Sequence, residues 1–232
     1  MIPYGGDHKL PIFPVAVYAI IAINVYVFFQ EISGPSDVLI NSFAVVPYDI
    51  THGIQPQTTP MPDLLTLITS QFVHGSILHI VFNMLFLFVF GPDIEYLCGH
   101  VRFIALYLLC GIIGGLTQVF IDPNSHIPSI GASGAIAGIL GAYIVNFPTA
   151  SVRTVIPIGC IPIFLRLPAV LVIGLWALTQ FMHGFGSVSD RVSTEQGGIA
   201  YFAHIGGFLA GLFLVAIFKI RDSAGRNYRY YY

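Results

Sequence analysis

Four polar side chains stand inside apolar stretches, and their types are those of acyl transfer. Ser133 lies in Gly131-Ala132-Ser133-Gly134-Ala135-Ile136-Ala137-Gly138 and His204 in Ala203-His204-Ile205-Gly206-Gly207, while His79 and Asn83 stand four residues apart. A serine hydroxyl needs a base to become a nucleophile, and histidine is the usual one. His79 and Asn83 would add side-chain donors to a developing oxyanion. Taken singly, each residue has a plainer role. The small residues around Ser133 let helices pack closely, and His204 is equally an interhelical donor. His79 and Asn83 share a helical face as a hydrogen-bonded pair, or His74 and His79 belong to a metal site. No carboxylate is placed to complete a metal shell, so structure precedes metal for that pair.

These residues must be positioned by membrane helices. Of the 232 residues 56% are hydrophobic and 9% charged, with mean hydropathy +0.82. Soluble domains carry about 25% charged residues, so a soluble globule is excluded. Crossing about 30 Å of hydrocarbon takes about 20 apolar residues, which predicts spans at 12–29, 77–97, 101–121, 129–147, 168–182 and 198–220. The fold class expected is an all-α integral membrane bundle of six transmembrane helices, with residues 1–232 forming a single membrane domain. Val155 to Leu165 is also apolar but is broken by Pro157, Pro162 and Arg166, as in a re-entrant or interfacial stretch. Ionisable or polar residues inside spans are costly and point to function. His79, Asn83, Ser133 and His204 fall near the starts of spans two, four and six, within roughly 10 Å of one surface at about 1.5 Å rise per residue. Ser133 then sits where free N–H groups and the positive end of a helix dipole face an oxyanion.

Cytoplasmic loops collect Lys and Arg. With the N-terminus cytoplasmic, Lys9, Arg102, Arg153, Arg166, Lys219, Arg221, Arg226 and Arg229 fall inside and only Arg191 outside, which supports six spans among the nine basic residues. The stretch 31–76 is long for a connection and is expected to be a membrane-associated loop, with Val38 to Val46 and Leu64 to Phe72 as interfacial helices. Asp93 and Glu95 read as interfacial or helix-fixing groups. Residues 221–232 are expected to be a cytoplasmic tail, whose basic and aromatic part, Arg226 to Tyr232, reads as an interface anchor. Cys98, Cys110 and Cys160 show no metal spacing and are expected to be reduced structural thiols. The first apolar run exceeds a signal-peptide core and is expected to remain as an anchor. No aromatic-basic surface suggests nucleic acid.

In chain order these motifs resemble those of the rhomboid family of intramembrane serine proteases. His74-Gly-Ser-Ile-Leu-His79-Ile-Val-Phe-Asn83 resembles the family's HxxxxHxxxN element, Gly131 to Gly138 its GxSGxxxG, and Ala203-His204-Ile-Gly-Gly207-Phe-Leu-Ala-Gly211 its AHxxGxxxG. The resemblance implies Ser133 as nucleophile, His204 as base, and an oxyanion hole of His79, Asn83 and the Ser133 amide, without metal or cofactor. Gly131, Gly134, Gly138, Gly207 and Gly211 would bring helices and substrate backbone close. It implies transmembrane protein substrates within the lipid bilayer, cut near their outer end, with span five and a cap loop at Gly184 to Gly197 gating access. The family's Trp-Arg loop pair aligns with Leu65-Thr66. An aromatic that some members place one turn after the serine is Ala137 here, leaving Tyr201 or Tyr143 to support His204. An inactive client-binding relative would share the fold, and a transporter would need polar groups through the inner half as well. The absence of a long N-terminal extension leans to a prokaryotic cell membrane, with the site facing outward.

Overall fold

The computed structural model describes residues 1–6, 12–54, 62–159, 161–189 and 200–221. Expectations for Lys9, Cys160, Arg191, residues 190–197 of the cap loop and the tail beyond Arg221 lie outside those residues. The helices are α1 (Val15–Ser33), α2 (Ser36–Phe43), α3 (Pro47–His52), α4 (Asp63–Thr69), α5 (Ile77–Cys98), α6 (His100–Ile121), α7 (Ser133–Asn146), α8 (Ala169–Ser189) and α9 (Tyr201–Phe218). Five of them, α1, α5, α6, α8 up to Gly186, and α9, are long and apolar enough to cross a membrane. The fourth expected span is shorter than the sequence suggested. α7 has 14 residues, about 21 Å at 1.5 Å per residue, because Gly131 and Ala132 form a turn rather than helix. Every residue from Gly134 to Tyr143 is buried, so α7 is surrounded by protein along most of its length.

The all-helical expectation is corrected by a three-stranded antiparallel sheet of β1 (Ile2–Gly6), β2 (Ser151–Ile158) and β3 (Ile161–Pro168), in the order β1-β2-β3. Val155 to Leu165 is therefore a hairpin. Pro157 opposes Pro162 and Arg153 opposes Arg166, while Gly159 takes the turn at φ 60°. Proline cannot donate to a ladder, which confines the two prolines to the hairpin's tip. Arg153 donates from Nη2 to the Gly6 carbonyl at 2.9 Å, tying the first strand to the second. Ile158, Ile161 and Phe164 remain exposed at 60–69%, an apolar tip suited to a membrane interface.

Buried carboxylates fasten α1 at both ends. Pro14 gives α1 no side-chain cap. Glu95, fully buried on α5, supplies it instead by accepting from the Ala16 and Val17 amides at 2.8 Å each. His100 Nδ1 bonds the same carboxylate. A negative charge at free N–H groups is favoured by the helix dipole, so the helix-fixing reading of Glu95 holds. Glu31, expected in the loop after span one, belongs instead to the last turn of α1. It accepts from the His74 amide at 3.0 and 3.2 Å, holding the chain just before α5.

α6, α7 and α9 meet almost backbone to backbone. A Cβ at Gly207 would overlap the Gly134 carbonyl, one at Gly211 the Gly138 carbonyl, and one at Gly138 the Cys110 side chain of α6. Cys98 and Cys110 are buried free thiols, Cys110 forming part of this seam. Gly134 differs, since a Cβ there would sit 3.5 Å from the Ala203 carbonyl, an ordinary contact. Gly211→Ala is therefore expected to destabilise the protein by about 1–3 kcal/mol or more, because a neighbouring helix's backbone cannot swing aside. Gly134→Ala should leave stability near wild type, helped by alanine's better helix propensity. Thermal unfolding in detergent micelles checks this contrast; equal losses in both variants would contradict the packing argument.

Candidate active site

The site begins with the start of α5. Ser76 is its N-cap and accepts from the His79 amide at 3.2 Å, which sets His79 in the first turn and Asn83 one turn further on. His74 precedes this helix and is 1% exposed. Burial, reinforced by the neighbouring His79, lowers its pKa to about 3. It is neutral, and its Nε2 faces the Ala132 amide at 3.5 Å, with the His79 ring edge-on at 5.0 Å between centroids. His74 thus braces the turn that carries Ser133.

That turn is also held by the long stretch after α1, which folds as α2, α3, α4 and a 3-10 turn at Ser70–Phe72. Helices do form near both expected stretches, at Ser36–Phe43 and Asp63–Thr69, with α3 as an addition. Val45 and Ser129 exchange amide bonds at 3.0 and 2.8 Å, and the Gly131 amide donates to the Ser70 carbonyl at 2.8 Å. Thr66, part of the Leu65-Thr66 pair that departs from the Trp-Arg pattern, bonds its own helix at the Asp63 carbonyl.

Gly131 has φ 114°, a conformation that suits glycine. A Cβ there would lie 2.6 Å from His79 Nε2, which crowds the turn, and 3.5 Å from Asn83 Nδ2, an ordinary contact that places the amide beside it. Asn83 Nδ2 is buried and lacks a hydrogen-bond partner among the described residues. An unpaired buried donor costs about 1–3 kcal/mol, which a ligand oxygen would relieve. Ser133 follows as the first residue of α7, where the opening amides have no partner within the helix. Ser133 also borders a small cavity shared with Ser70, Gln71, Ser129 and Ala203.

His204 comes from the first turn of α9 and is 9% exposed. Its Nε2 is 2.7 Å from Ser133 Oγ. The opposite ring nitrogen, Nδ1, is 2.7 Å from Gln180 Oε1 on α8. The Trp176 ring lies 6.0 Å from the imidazole between centroids. The expectation that Tyr201 or Tyr143 supports His204 is replaced by these two α8 residues. Tyr201 stacks on His183, and Tyr143 packs against Phe90 and Phe147. Gln180 escapes a reading of the sequence because it lies two residues from the expected end of span five, where polar residues are unremarkable. α8 in fact continues to Ser189, through the first part of the expected cap loop. The available signal is the spacing of Trp176, Thr179 and Gln180, which puts them on one helical face.

A family model described as a Rhomboid domain matches residues 62–221. RHOMBOID-like protein 5 of Arabidopsis thaliana is 32% identical over 159 residues, covering 68% of this chain and 45% of that protein. Rhomboid protease GluP of Bacillus subtilis is 29% identical over 204 residues, covering 88% of this chain and 34% of its own length. Inactive rhomboid protein 1 of Drosophila melanogaster is 36% identical over 84 residues, 36% of this chain and 6% of that protein. The chain thus spans less than half the length of these relatives. Plant and bacterial proteins are both among them, so the lean toward a prokaryotic membrane has no support from relatedness.

Proposed function

Since the chain belongs to the rhomboid family, with more than half of it matched to the Rhomboid domain, we propose that it is an intramembrane serine protease working through Ser133 and His204. The observation that carries the reading is the 2.7 Å approach of His204 Nε2 to Ser133 Oγ at the first residue of a buried helix. Family membership alone does not decide for an enzyme, because the relatives include both a named protease and a named inactive protein. The substrates are transmembrane segments of other proteins, entering from the lipid bilayer.

In this mechanism His204 Nε2 takes the Ser133 hydroxyl proton as Oγ attacks the scissile carbonyl carbon. The oxygen that becomes negative is met by Asn83 Nδ2, His79 and the Ser133 amide, donors already fixed before the reaction. Collapse of the tetrahedral intermediate breaks the C–N bond, and the imidazolium returns its proton to the departing amine. A water then hydrolyses the Ser133 ester by the same steps, with His204 again as base. A substrate helix hides its carbonyls in its own hydrogen bonds, so it must unwind locally before attack.

The same reading takes the chain as one membrane domain with six passes, α7 being the short central one, and with the N-terminus cytoplasmic. Hydrogen bonds support the alternating directions. The start of α1 bonds Glu95 near the end of α5, and Ile220 and Arg221, just past α9, donate to the Leu97 carbonyl. Arg102, Lys219 and Arg221 therefore cluster at the end away from Ser133, as the positive-inside rule requires for an outward-facing site.

The test is labelling of the purified protein in detergent with a fluorophosphonate probe, followed by peptide mapping. A phosphonyl adduct on Ser133 is expected. A folded protein that takes up no probe would move the reading to client binding without catalysis.

A further inference from the structure

His204 is held by more than the serine it faces. We propose that Gln180 is a positioning residue that fixes the tautomer and ring orientation of His204, so that α8 supplies a third member to the Ser133–His204 pair. This rests on the protease reading and deepens it.

Hydrogen-bond direction selects the tautomer. An amide can present either end to an imidazole, and only one end gives a competent base. Gln180 Nε2 is 3.2 Å from Thr179 Oγ1, and the Thr179 hydroxyl itself donates to the Trp176 carbonyl at 2.6 Å. The threonine proton is thereby committed, so its oxygen accepts from the Gln180 NH2 group. That leaves Gln180 Oε1 facing His204 Nδ1 at 2.7 Å, as an acceptor. An acceptor there requires Nδ1 to carry the proton. Nε2 then has a free lone pair, directed at Ser133 Oγ at 2.7 Å. The relay runs in one direction from Ser133 through His204, Gln180 and Thr179 to the Trp176 carbonyl. Each hydrogen has one acceptor.

A neutral amide differs from a carboxylate in what it can do. It selects the tautomer and holds the ring, but it adds no full charge to balance the imidazolium when the proton moves from Oγ to Nε2. During that transfer the Nδ1–H bond to Gln180 stays in place. Chain position adds a further point: Ser133, His204 and Gln180 come from α7, α9 and α8, so the base is competent only with three helices in register.

Three proteins test this: wild type, Gln180→Leu, which keeps the volume but has no acceptor, and Gln180→Glu, which keeps an acceptor toward Nδ1. The rate of fluorophosphonate labelling at Ser133 should fall about 10- to 100-fold in Gln180→Leu, as when the orienting partner of a metal-binding histidine is removed. Cleavage of a transmembrane substrate should lose kcat with KM nearly unchanged, and Gln180→Glu should recover most of the rate. Nitrogen-15 spectra of histidine-labelled protein, with His204 assigned by its loss in His204→Gln, should show Nδ1–H in wild type and a mixture of tautomers in Gln180→Leu. Wild-type labelling rates and an unchanged tautomer in Gln180→Leu would overturn the proposal while leaving the Ser133–His204 reading intact. If the wild type took no probe, the protease reading would fail, and the spectra would still decide whether Gln180 sets the tautomer.

Discussion

Replacing Ser133 by alanine is expected to abolish cleavage of a transmembrane substrate, and so is replacing His204 by alanine; under the proposed function this is the largest effect of any substitution in the chain. Each removes one half of a unit that transfers one proton, so the losses do not add. In serine proteases removal of the nucleophile, the base or both costs about the same, of order 10⁶-fold in kcat. The double variant should therefore be no worse than either single one. Folding should survive in both. Ser133→Ala deletes a single oxygen at a half-buried position, and the alanine would sit in a helix start whose backbone contacts are unchanged. His204→Ala loses the bonds to Ser133 and Gln180 and the contact with Trp176, so a lower melting temperature is expected there. Cleavage in micelles or liposomes, read beside thermal unfolding, checks both points. Full activity in Ser133→Ala would remove the dyad from consideration.

The second large effect belongs to Asn83. Its Nδ2 is a buried donor without a described partner, beside the turn that carries Ser133. Asn83→Ala should lower kcat/KM about 10²- to 10³-fold, the cost of one lost oxyanion donor, about 2.7–4 kcal/mol of transition-state stabilisation. Stability should change little, because the substitution breaks no hydrogen bond at Nδ2 and removes a group that is costly to bury unpaired. The opposite pattern, a large fall in melting temperature with activity per folded molecule retained, would make Asn83 a structural residue. Substrate affinity adds a second discrimination. A donor used only in the transition state lowers kcat and leaves KM close to its starting value.

The contrast between Asn83 and Gln180 explains why one is visible in the sequence and the other is not. A polar side chain within an apolar span is expensive enough to be conspicuous, so Ser133, His204, His79 and Asn83 can be picked out by type and by their shared depth near the span starts. Gln180 carries the same kind of group, but it falls near the expected end of span five, where water would make a polar residue cheap; only the continuation of α8 to Ser189 places it well inside the helix. Its importance arises from a partner 24 residues away in the chain. The hairpin is hidden for a different reason. Between Val155 and Leu165 the apolar content resembles a membrane stretch, and the β2–β3 pairing is local, while the third strand, β1, comes from about 150 residues earlier in the chain.

By itself the sequence determined that this is a membrane protein, roughly where its long helices lie, which polar residues fall near one depth and which glycines let helices approach closely. Those features follow from the cost of placing polar groups in hydrocarbon and from the small volume of glycine, properties each residue carries wherever it is placed. Tertiary structure alone decided that α7 is short and enclosed, that Glu95 and Glu31 fasten α1, that the 31–76 stretch braces the turn before Ser133, and that His204 faces Ser133 on one nitrogen and Gln180 on the other. Each is a directional hydrogen bond or a steric fit between segments distant in the chain, set by how whole helices pack.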